Sequence, residues 1–584
     1  MKTHNHLLLE LAKCVVDSAK TLGAQLTTEA AYSAIVEPPQ FEMGHFAFGC
    51  FRLAKDMKKA PPMIATELAA HIKTDDVVEK VQAAGPYLNF IINPKAYGDL
   101  VIKSILDESF FGRDILSEKP KTMIEYSQPN THKVLHVGHM RNLCLGNALI
   151  KMGRSIDADI ISVTYPGDVG THVAKCLWYL KNHYTRAWPE GSAEAKGAWL
   201  GSIYTLATHK LDDELGSDKE DENRKQLTAI LKQLEAGSGE YYDLWRETRQ
   251  WSLKLMEKAY AWAGVKFDRW FFESEVDAPS LKFVHELFEQ GKLVKDQGAI
   301  GMDLSDDKLG FCLLVKSDGN GLYATKDVQL AKVKFEEFKV KKSVYIVDNR
   351  QAHHFKQVFK VLEKIGFEQA KDCFHLAYDV VELPDGAMSS RKGNIVPLMD
   401  LVEQMEARIT TDYLEKYRGQ WSDDEIKETA HAVAGGAIIY GMVRVDNNRK
   451  IVFDMDEWLK LDGETGPYLQ YANARIRSLV EKLGPVSSAA NFECLKNNSE
   501  LALASKLSRY NDVIEKGWSD LKTIGLCSYL YELAKLFNSF YVECPIAKAD
   551  SEELKQARLA LAAATGKTLE RGLNALGISA PARM

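Results

Sequence analysis

One stretch constrains this chain more than any other: a strand that breaks on a proline turn and restarts as a helix carrying histidines. Thr122 to Ser127 alternates and is rich in β-branched residues, the pattern of a strand. From Gly138 to Gly153, Met140, Cys144, Ala148 and Met152 recur at every fourth position, which places them on one face of a helix. Pro129 and its polar neighbours make the turn between the two. His136, Gly138 and His139 therefore stand at a strand-to-helix transition, where free N–H groups and the helix dipole favour an anion. Gly138 has no side chain, so a ligand is expected to lie against its backbone with an imidazole on either side. Zinc ranks last as a reading, because no Cys or further His follows at ligand spacing. A second strand, Asp159 to Thr164, completes a βαβ unit and implies a parallel sheet with a right-handed crossover.

In such sheets ligands bind beyond the carboxyl ends of the strands. Three polar clusters fall at such ends: Glu125 to His139, Tyr165 to His172, and Asp348 to His354 after the apolar run Val344 to Val347. A small, basic, serine-rich loop, Ala387 to Asn394, follows the turn formers Pro384, Asp385 and Gly386. Lys316 to Asp327 reads as a hairpin turning on Asp318-Gly319-Asn320-Gly321. Residues 174–274 are helical and charge-rich, an insertion between two halves of the sheet.

Towards the N-terminus, Leu7 to Leu22, Phe46 to Met57 and Pro62 to Ile72 read as helices, and Tyr87 to Asn93 as a strand. Phe110 to Asp114 reads as a linker. Beyond Met399 strand signals stop, and long helices are expected over Glu425 to Met442, Pro467 to Leu483, Leu501 to Lys516 and Glu552 to Leu576. The expected fold class is thus multidomain. A small α/β N-terminal domain (1–115) precedes a Rossmann-like α/β parallel-sheet domain (116–400, insertion about 174–274) and an all-α C-terminal domain (401–584).

A chain of 584 residues is too long for one core. No apolar run reaches membrane-span length, and the N-terminus lacks a signal-peptide core. Nine cysteines without Cys-x-x-Cys pairing suit a reducing, cytoplasmic setting with no membrane partner. At a net charge of −7, a nucleic-acid partner must be met by local basic patches and not by the global field.

His-x-Gly-His at 136–139, paired with Met388-Ser389-Ser390-Arg391-Lys392-Gly393-Asn394, resembles the two signatures of class I aminoacyl-tRNA synthetases. Further matches sharpen the resemblance to arginyl-tRNA synthetases over essentially the whole chain. They are Ser127 to Asn142, Gly167-Asp168-x-Gly170-Thr171, Lys316-Ser317-Asp318-Gly319 to Thr325-Lys326-Asp327, Gln351-x-x-His354-Phe355, Thr465 to Ala472, and the end Leu576 to Met584.

The resemblance implies activation of L-arginine by ATP and transfer to the terminal adenosine of tRNA(Arg), with adenylation dependent on bound tRNA. It implies ATP contacts at His136, Gly138, His139, Met388, Ser389, Ser390 and Lys392, with Mg2+ carried by the nucleotide and no protein metal site. The catalytic candidates are His136, His139, Lys133, Arg391 and Lys392, the cations standing in for a signature Lys whose position here is Ala387. An arginine pocket is implied at Glu125, Asn130, Tyr323, Asp327 and Gln351. Arginine is a planar fork of five donors, and carboxylates and amide oxygens are its natural partners. His172 and Val169 stand where the family commonly has Gln and Trp, and His172 is left as a pocket candidate.

tRNA contacts are implied at Tyr87 and Asn89 in the N-terminal domain, and at Tyr468, Gln470, Tyr471 and Met584 in the C-terminal one. A monomer is expected. Two rivals carry less: an inactive tRNA-binding paralogue, which predicts a damaged histidine pair, and an RNA-independent adenylyltransferase of the same nucleotide-binding fold, which would need no helical tail. A cysteine-specific synthetase is disfavoured by the missing zinc-binding cysteines.

Overall fold

The computed structural model describes residues 5–112, 115–383, 396–487 and 490–584. Five parallel strands form the central sheet: β1 (Thr122–Glu125), β2 (Ile160–Thr164), β3 (Arg269–Trp270), β4 (Lys342–Asp348) and β5 (Cys373–Tyr378). Their order is β5-β4-β1-β2-β3, every neighbour parallel. The order reverses between β1 and β4, and at such a reversal the connections diverge and open a crevice at the carboxyl ends. Glu125 ends β1 level with Tyr345 on β4 and Val163 on β2. The strands are apolar (Met123, Ile124, Val163, Val344 and Ile346 are buried) because helices cover both faces.

Helix α1 (Val137–Ser155) leaves the crevice and is buried on nearly every side, well beyond the single face its periodicity marks. Two polar residues go under with it. Arg141 Nη1 donates to the carbonyls of Asp379 (2.6 Å) and Arg449 (2.7 Å), and Nη2 to that of Asp446 (3.1 Å). Asn142 Nδ2 donates to Ile346 O (2.8 Å) and Tyr378 Oη (3.1 Å), while its Oδ1 accepts the Ser127 N–H (2.6 Å). Buried polar groups persist only when paired, and these bonds stitch β1, β4 and β5 to the helical domain across the crevice.

The insertion comprises helices Ala193–Asp213 and Glu220–Ala236, then α2 (Glu240–Trp262), which packs back along the first of them. After β3 come α3 (Glu273–Glu289), a three-stranded antiparallel sheet over Val294–Asp296, Ala299–Asp303 and Phe311–Val315, and α4 (Tyr323–Phe338). Helix α5 (Ala352–Lys364) follows β4. The hairpin expected over 316–327 is corrected here. The turn at 317–320 forms and Val315 bridges Gly321, but the second arm is the start of α4.

The N-terminal domain packs helices His6–Thr21 and Pro61–His71 on an antiparallel sheet ordered Ile35–Val36, Phe46–Gly49, Tyr87–Ile92, Val78–Ala84. The helix expected over Phe46 to Met57 is therefore wrong at its start, where Phe46 to Gly49 pair with Tyr87 to Phe90. In the C-terminal region, the single helix expected over Leu501 to Lys516 is two, Asn498–Ser508 and Tyr510–Asp520. At the break, the Ser508 carbonyl accepts a 2.7 Å bond from Asn5 Nδ2. A two-residue strand, Ile451–Val452, also survives beyond Met399, paired with Val381–Glu382. Among the described residues no helix is long and apolar enough to cross a membrane.

Candidate active site

The three polar clusters meet at the crevice, each on the loop leaving a strand: 125–139 after β1, 165–172 after β2 and 348–354 after β4. A fourth segment joins them from β3, Phe271 to Glu273. The loop after β1 is conformationally demanding, with Ser127 (φ 52°) and His132 (φ 61°) both in the left-handed region that side chains disfavour.

The two signature imidazoles have a defined state. His136 Nδ1 accepts the Gly138 N–H at 3.1 Å, and His139 Nδ1 accepts the His136 N–H at 3.2 Å, a reciprocal cap on α1. A nitrogen that accepts carries no proton, so in each neutral ring the proton sits on Nε2. Burial, then the charges of Lys133 and Arg350, push the His136 imidazole down to about 4. His139 lies well below its ordinary value for the same chief reason, burial. Two neutral rings, their centroids 4.1 Å apart, thus carry Nε2–H donors at the helix start. Gly138 is needed for a reason other than ligand access. A Cβ there would meet His136 Cε1 at 2.8 Å, so glycine makes room for the imidazole itself.

Residues 388–392 of the second signature (Met388, Ser389, Ser390, Arg391, Lys392) lie outside the described residues. The segment that follows is described and is anchored at the histidines. The Val137 N–H donates to Val396 O (3.3 Å), Leu398 N–H donates to Leu135 O (2.8 Å), and His136 bridges Pro397. Lys133 stacks its ammonium over the Tyr204 ring of the insertion at 4.7 Å.

Beside the imidazoles lies an acidic pocket. Asp327 on α4 is part-buried and bonded through Oδ2 to His354 Nε2 at 2.6 Å. Glu273 opens α3, almost wholly buried, with Lys326 Nζ 3.8 Å away, and Lys326 is shared with Asp277 at 3.1 Å. Burial pushes the Glu273 carboxyl up to about 7; Lys326 opposes this, while Asp168, Asp327 and Asp277 add to it. Tyr165, buried with its hydroxyl unbonded, feels Asp327, Glu273, Glu125 and Asp168 together. Asn130 bridges Gly167, where an added Cβ would lie 2.3 Å from Asn130 Oδ1 and 3.6 Å from Glu273 Cδ. Only glycine lets those two side chains converge.

Glu125, expected as an arginine contact, is buried at the end of β1. Its Oε2 pairs with Lys334 Nζ at 2.5 Å, both side chains fully enclosed, with the ammonium also 3.9 Å from the Tyr345 ring centroid. The pair ties the end of β1 to α4 in the interior of the site. Tyr323, at the first turn of α4, is 67% exposed and its phenol senses Glu273, Lys326 and Asp327, so it stands at the rim. Gln351 is exposed at the foot of α5, on the loop that leaves β4. His172 is half-buried and spends Nε2 on the Gly167 carbonyl (3.2 Å), a loop-fixing bond.

Tyr165 and His354 fall inside two of the polar clusters read in the sequence, whereas Glu273 and Lys334 were missed there. Nothing in their spacing marks them, although Glu273 closes a Trp-Phe-Phe-Glu run after β3 that a strand reading would have placed at a carboxyl end.

The peripheral candidates divide. Tyr87 is 40% exposed and packs edge-on against the exposed Phe51, and Tyr471 is 42% exposed. Tyr468 is half-buried, its hydroxyl accepting from Asn538 Nδ2 (2.9 Å), and Met584 is half-buried with its carbonyl accepting from Tyr417 Oη (3.4 Å). Two are corrected. Asn89 is buried with Nδ2 donating to Met43 O at 2.9 Å. Gln470 is wholly buried, Nε2 donating to Ala432 O (2.8 Å) and Ser579 O (2.7 Å). Neither amide is open to a base.

The chain matches three family models. They are tRNA synthetases class I (R), catalytic domain, over residues 101–455; the DALR anticodon binding domain over 469–584; and the arginyl tRNA synthetase N terminal domain over 9–92. The arginine–tRNA ligase of Bdellovibrio bacteriovorus is 55% identical over 95% of this chain and 94% of its own length. That of Clostridium botulinum is 35% identical over 96% and 97%. The solved arginyl-tRNA synthetase of Thermus thermophilus superposes with a TM-score of 0.79 at 25% identity, covering 98% of this chain and 99% of that one. With histidine-headed helix, acidic pocket and helical C-terminal region all in place, this chain belongs to the class I arginyl-tRNA synthetases.

Proposed function

We propose that the crevice joins ATP to L-arginine and passes the arginyl group to tRNA(Arg), with Glu273 and Asp327 as the guanidinium partners. The observation that carries this reading is the pairing of two neutral Nε2–H donors with an acidic pocket in one crevice. The arginine carboxylate attacks the α-phosphorus and pyrophosphate leaves, a step that rests on positioning and charge stabilisation more than on a protein nucleophile. His136 and His139 donate to phosphate oxygens as charge builds. Asn130 and Gln351 take the α-amino end, and Tyr323 closes over the side chain. The signature Met388, Ser389, Ser390, Arg391 and Lys392 is assigned to the nucleotide by its family resemblance, with Lys133 supplying a further cation. Mg2+ enters as counter-ion of the nucleotide, held by phosphate and water, and no step is assigned to it.

A site built on such bonds rejects analogues lacking them by up to about 10⁴–10⁵, so no editing domain is needed. Residues 1–115 meet the body of the tRNA through Tyr87, and residues 401–584 the anticodon through Tyr471, with Tyr468 and Met584 beside it. The protein acts as a monomer in the cytoplasm.

Pyrophosphate exchange with arginine should appear only when tRNA(Arg) is added. Robust exchange without it would overturn the dependence of adenylation on tRNA.

The two neighbours 470 and 471 should separate cleanly. Tyr471→Ala is expected to weaken tRNA binding by about 1–3 kcal/mol, the value of a stacked base, with arginine KM unchanged. Gln470→Ala strips two buried carbonyls of their donor and should lower unfolding stability by about 1–3 kcal/mol. Titration with tRNA and urea melts distinguish them; equal behaviour of the two variants in both assays would refute the assignment.

A further inference from the structure

A single turn of α2 touches both loops that frame the pocket. On one side, Arg249 Nε donates to Asp168 Oδ2 at 2.7 Å, and Asp168 is wholly buried. The same carboxylate accepts the Ser274 N–H (2.9 Å, Oδ1) and the Ser274 hydroxyl (2.7 Å, Oδ2), while the Asp168 carbonyl accepts Trp245 Nε1 (2.7 Å). The Arg249 guanidinium lies over the Phe272 ring at 4.1 Å. Phe272 and Ser274 flank Glu273, so Arg249 grips the chain on both sides of the pocket carboxylate. On the other side, Ser252 Oγ accepts the His132 N–H (2.9 Å) and Thr248 Oγ1 meets His132 Nε2 (2.8 Å). The next residue back, Thr131, donates its N–H to Gly167 O at 2.9 Å, closing the ring of loops.

We infer that Arg249 is a positioning residue for the arginine pocket, and that Thr248–Ser252 is the joint through which the insertion sets that pocket. The inference rests on Glu273 being a guanidinium partner. The physical reason is that, among the described residues, the cation nearest the Glu273 carboxylate is Lys326, 3.8 Å away and shared with Asp277, a loose hold for a buried charge. Its location is therefore dictated by its neighbours in sequence, and Arg249 with Asp168 holds both of them. Arginine suits the task because its planar fork pairs with a carboxylate at one edge and stacks on an aromatic ring with its face. Any shift of the insertion would move Thr248, Arg249 and Ser252 together, and with them the two loops. A misplacement of about 1 Å costs on the order of 10²-fold in a site that works by alignment.

The test compares Arg249→Met, Arg249→Lys and Glu273→Gln in the full chain at saturating tRNA(Arg). Arg249→Met is expected to raise the KM for arginine about 10–100-fold with the KM for ATP nearly unchanged, and to lower the melting temperature because Asp168 is left buried without its cation. Arg249→Lys keeps the charge but not the stacked face and should recover only part of the arginine KM. An unchanged arginine KM, or arginine and ATP KM rising together, would overturn the inference. Should Arg249→Met not fold, Phe272→Leu removes the stacked ring and keeps the Asp168 pair. A rise in arginine KM alone supports the joint, and no change refutes it. If Glu273→Gln leaves arginine KM unaltered, the pocket reading fails; if it raises it while Arg249→Met does not, only the joint fails.

Discussion

Glu273→Gln is expected to raise the KM for arginine by about 30-fold or more, the low end of what truncating a buried charge partner costs, while the KM for ATP stays nearly constant. The glutamine fills the same volume and keeps one acceptor oxygen, so the loss isolates the charge. Wild-type enzyme should also carry a signature of this group in its pH profile. Burial holds the Glu273 carboxyl up to about 7 in the empty pocket. Below that pH it is protonated and neutral, and a neutral acid does not attract a guanidinium. The sign is therefore fixed: kcat/KM for arginine should climb as pH rises to about 7 and flatten above it, since kcat/KM reports groups of the free enzyme. Glu273→Gln should lose the rising limb. A flat wild-type profile from about pH 6 to about pH 8, or an unchanged arginine KM in the variant, would remove Glu273 from the pocket.

His139→Asn should slow adenylation on the order of 10²–10³-fold, the cost of one preorganised donor to a developing charge, with little change in either KM. Asparagine places its side-chain oxygen near the position of Nδ1, so it can still accept the His136 N–H that His139 now caps. The helix start survives and only the Nε2–H is lost. Because burial above all holds both imidazoles well below their ordinary value, with Lys133 adding to it, neither should contribute a limb to the rate profile near neutral pH. Single-turnover rates with matched melting curves decide it. A variant with normal adenylation, or one whose slow rate tracks a lost melting transition, would mean that the ring only caps the helix.

Several parts of this protein were written in the local sequence. Alternation over Thr122 to Ser127 and the every-fourth-residue pattern from Met140 to Met152 specify a strand and a helix, because side-chain direction repeats every 2 residues in one and about every 3.6 in the other. Three polar clusters following apolar runs gave the loops at the carboxyl ends, since a parallel sheet buried on both faces leaves only its ends for chemistry. Where the periodicities overlap, local reading failed. Phe46, Cys50 and Leu53 fit a helical face, yet Phe46 to Gly49 form a strand because the Tyr87 to Phe90 edge was there to pair with. Gln470 and Tyr471 look alike as polar neighbours at a helix start, but one faces Ala432 and Ser579 and the other faces out.

The pocket chemistry was decided by the tertiary structure alone. Glu125 carries the same carboxylate as Glu273, but Lys334, far along the chain, is buried against it at 2.5 Å, whereas the nearest ammonium to Glu273 is 3.8 Å away. Charge in a protein interior is settled by the nearest partner within a few ångströms, and which partner that is depends on how helices distant in sequence pack. Residue spacing therefore determined the fold, the family and the loops, whereas the partner that each carboxylate meets, Lys334 for Glu125, His354 for Asp327 and Lys326 for Glu273, was decided only when the chain closed on itself.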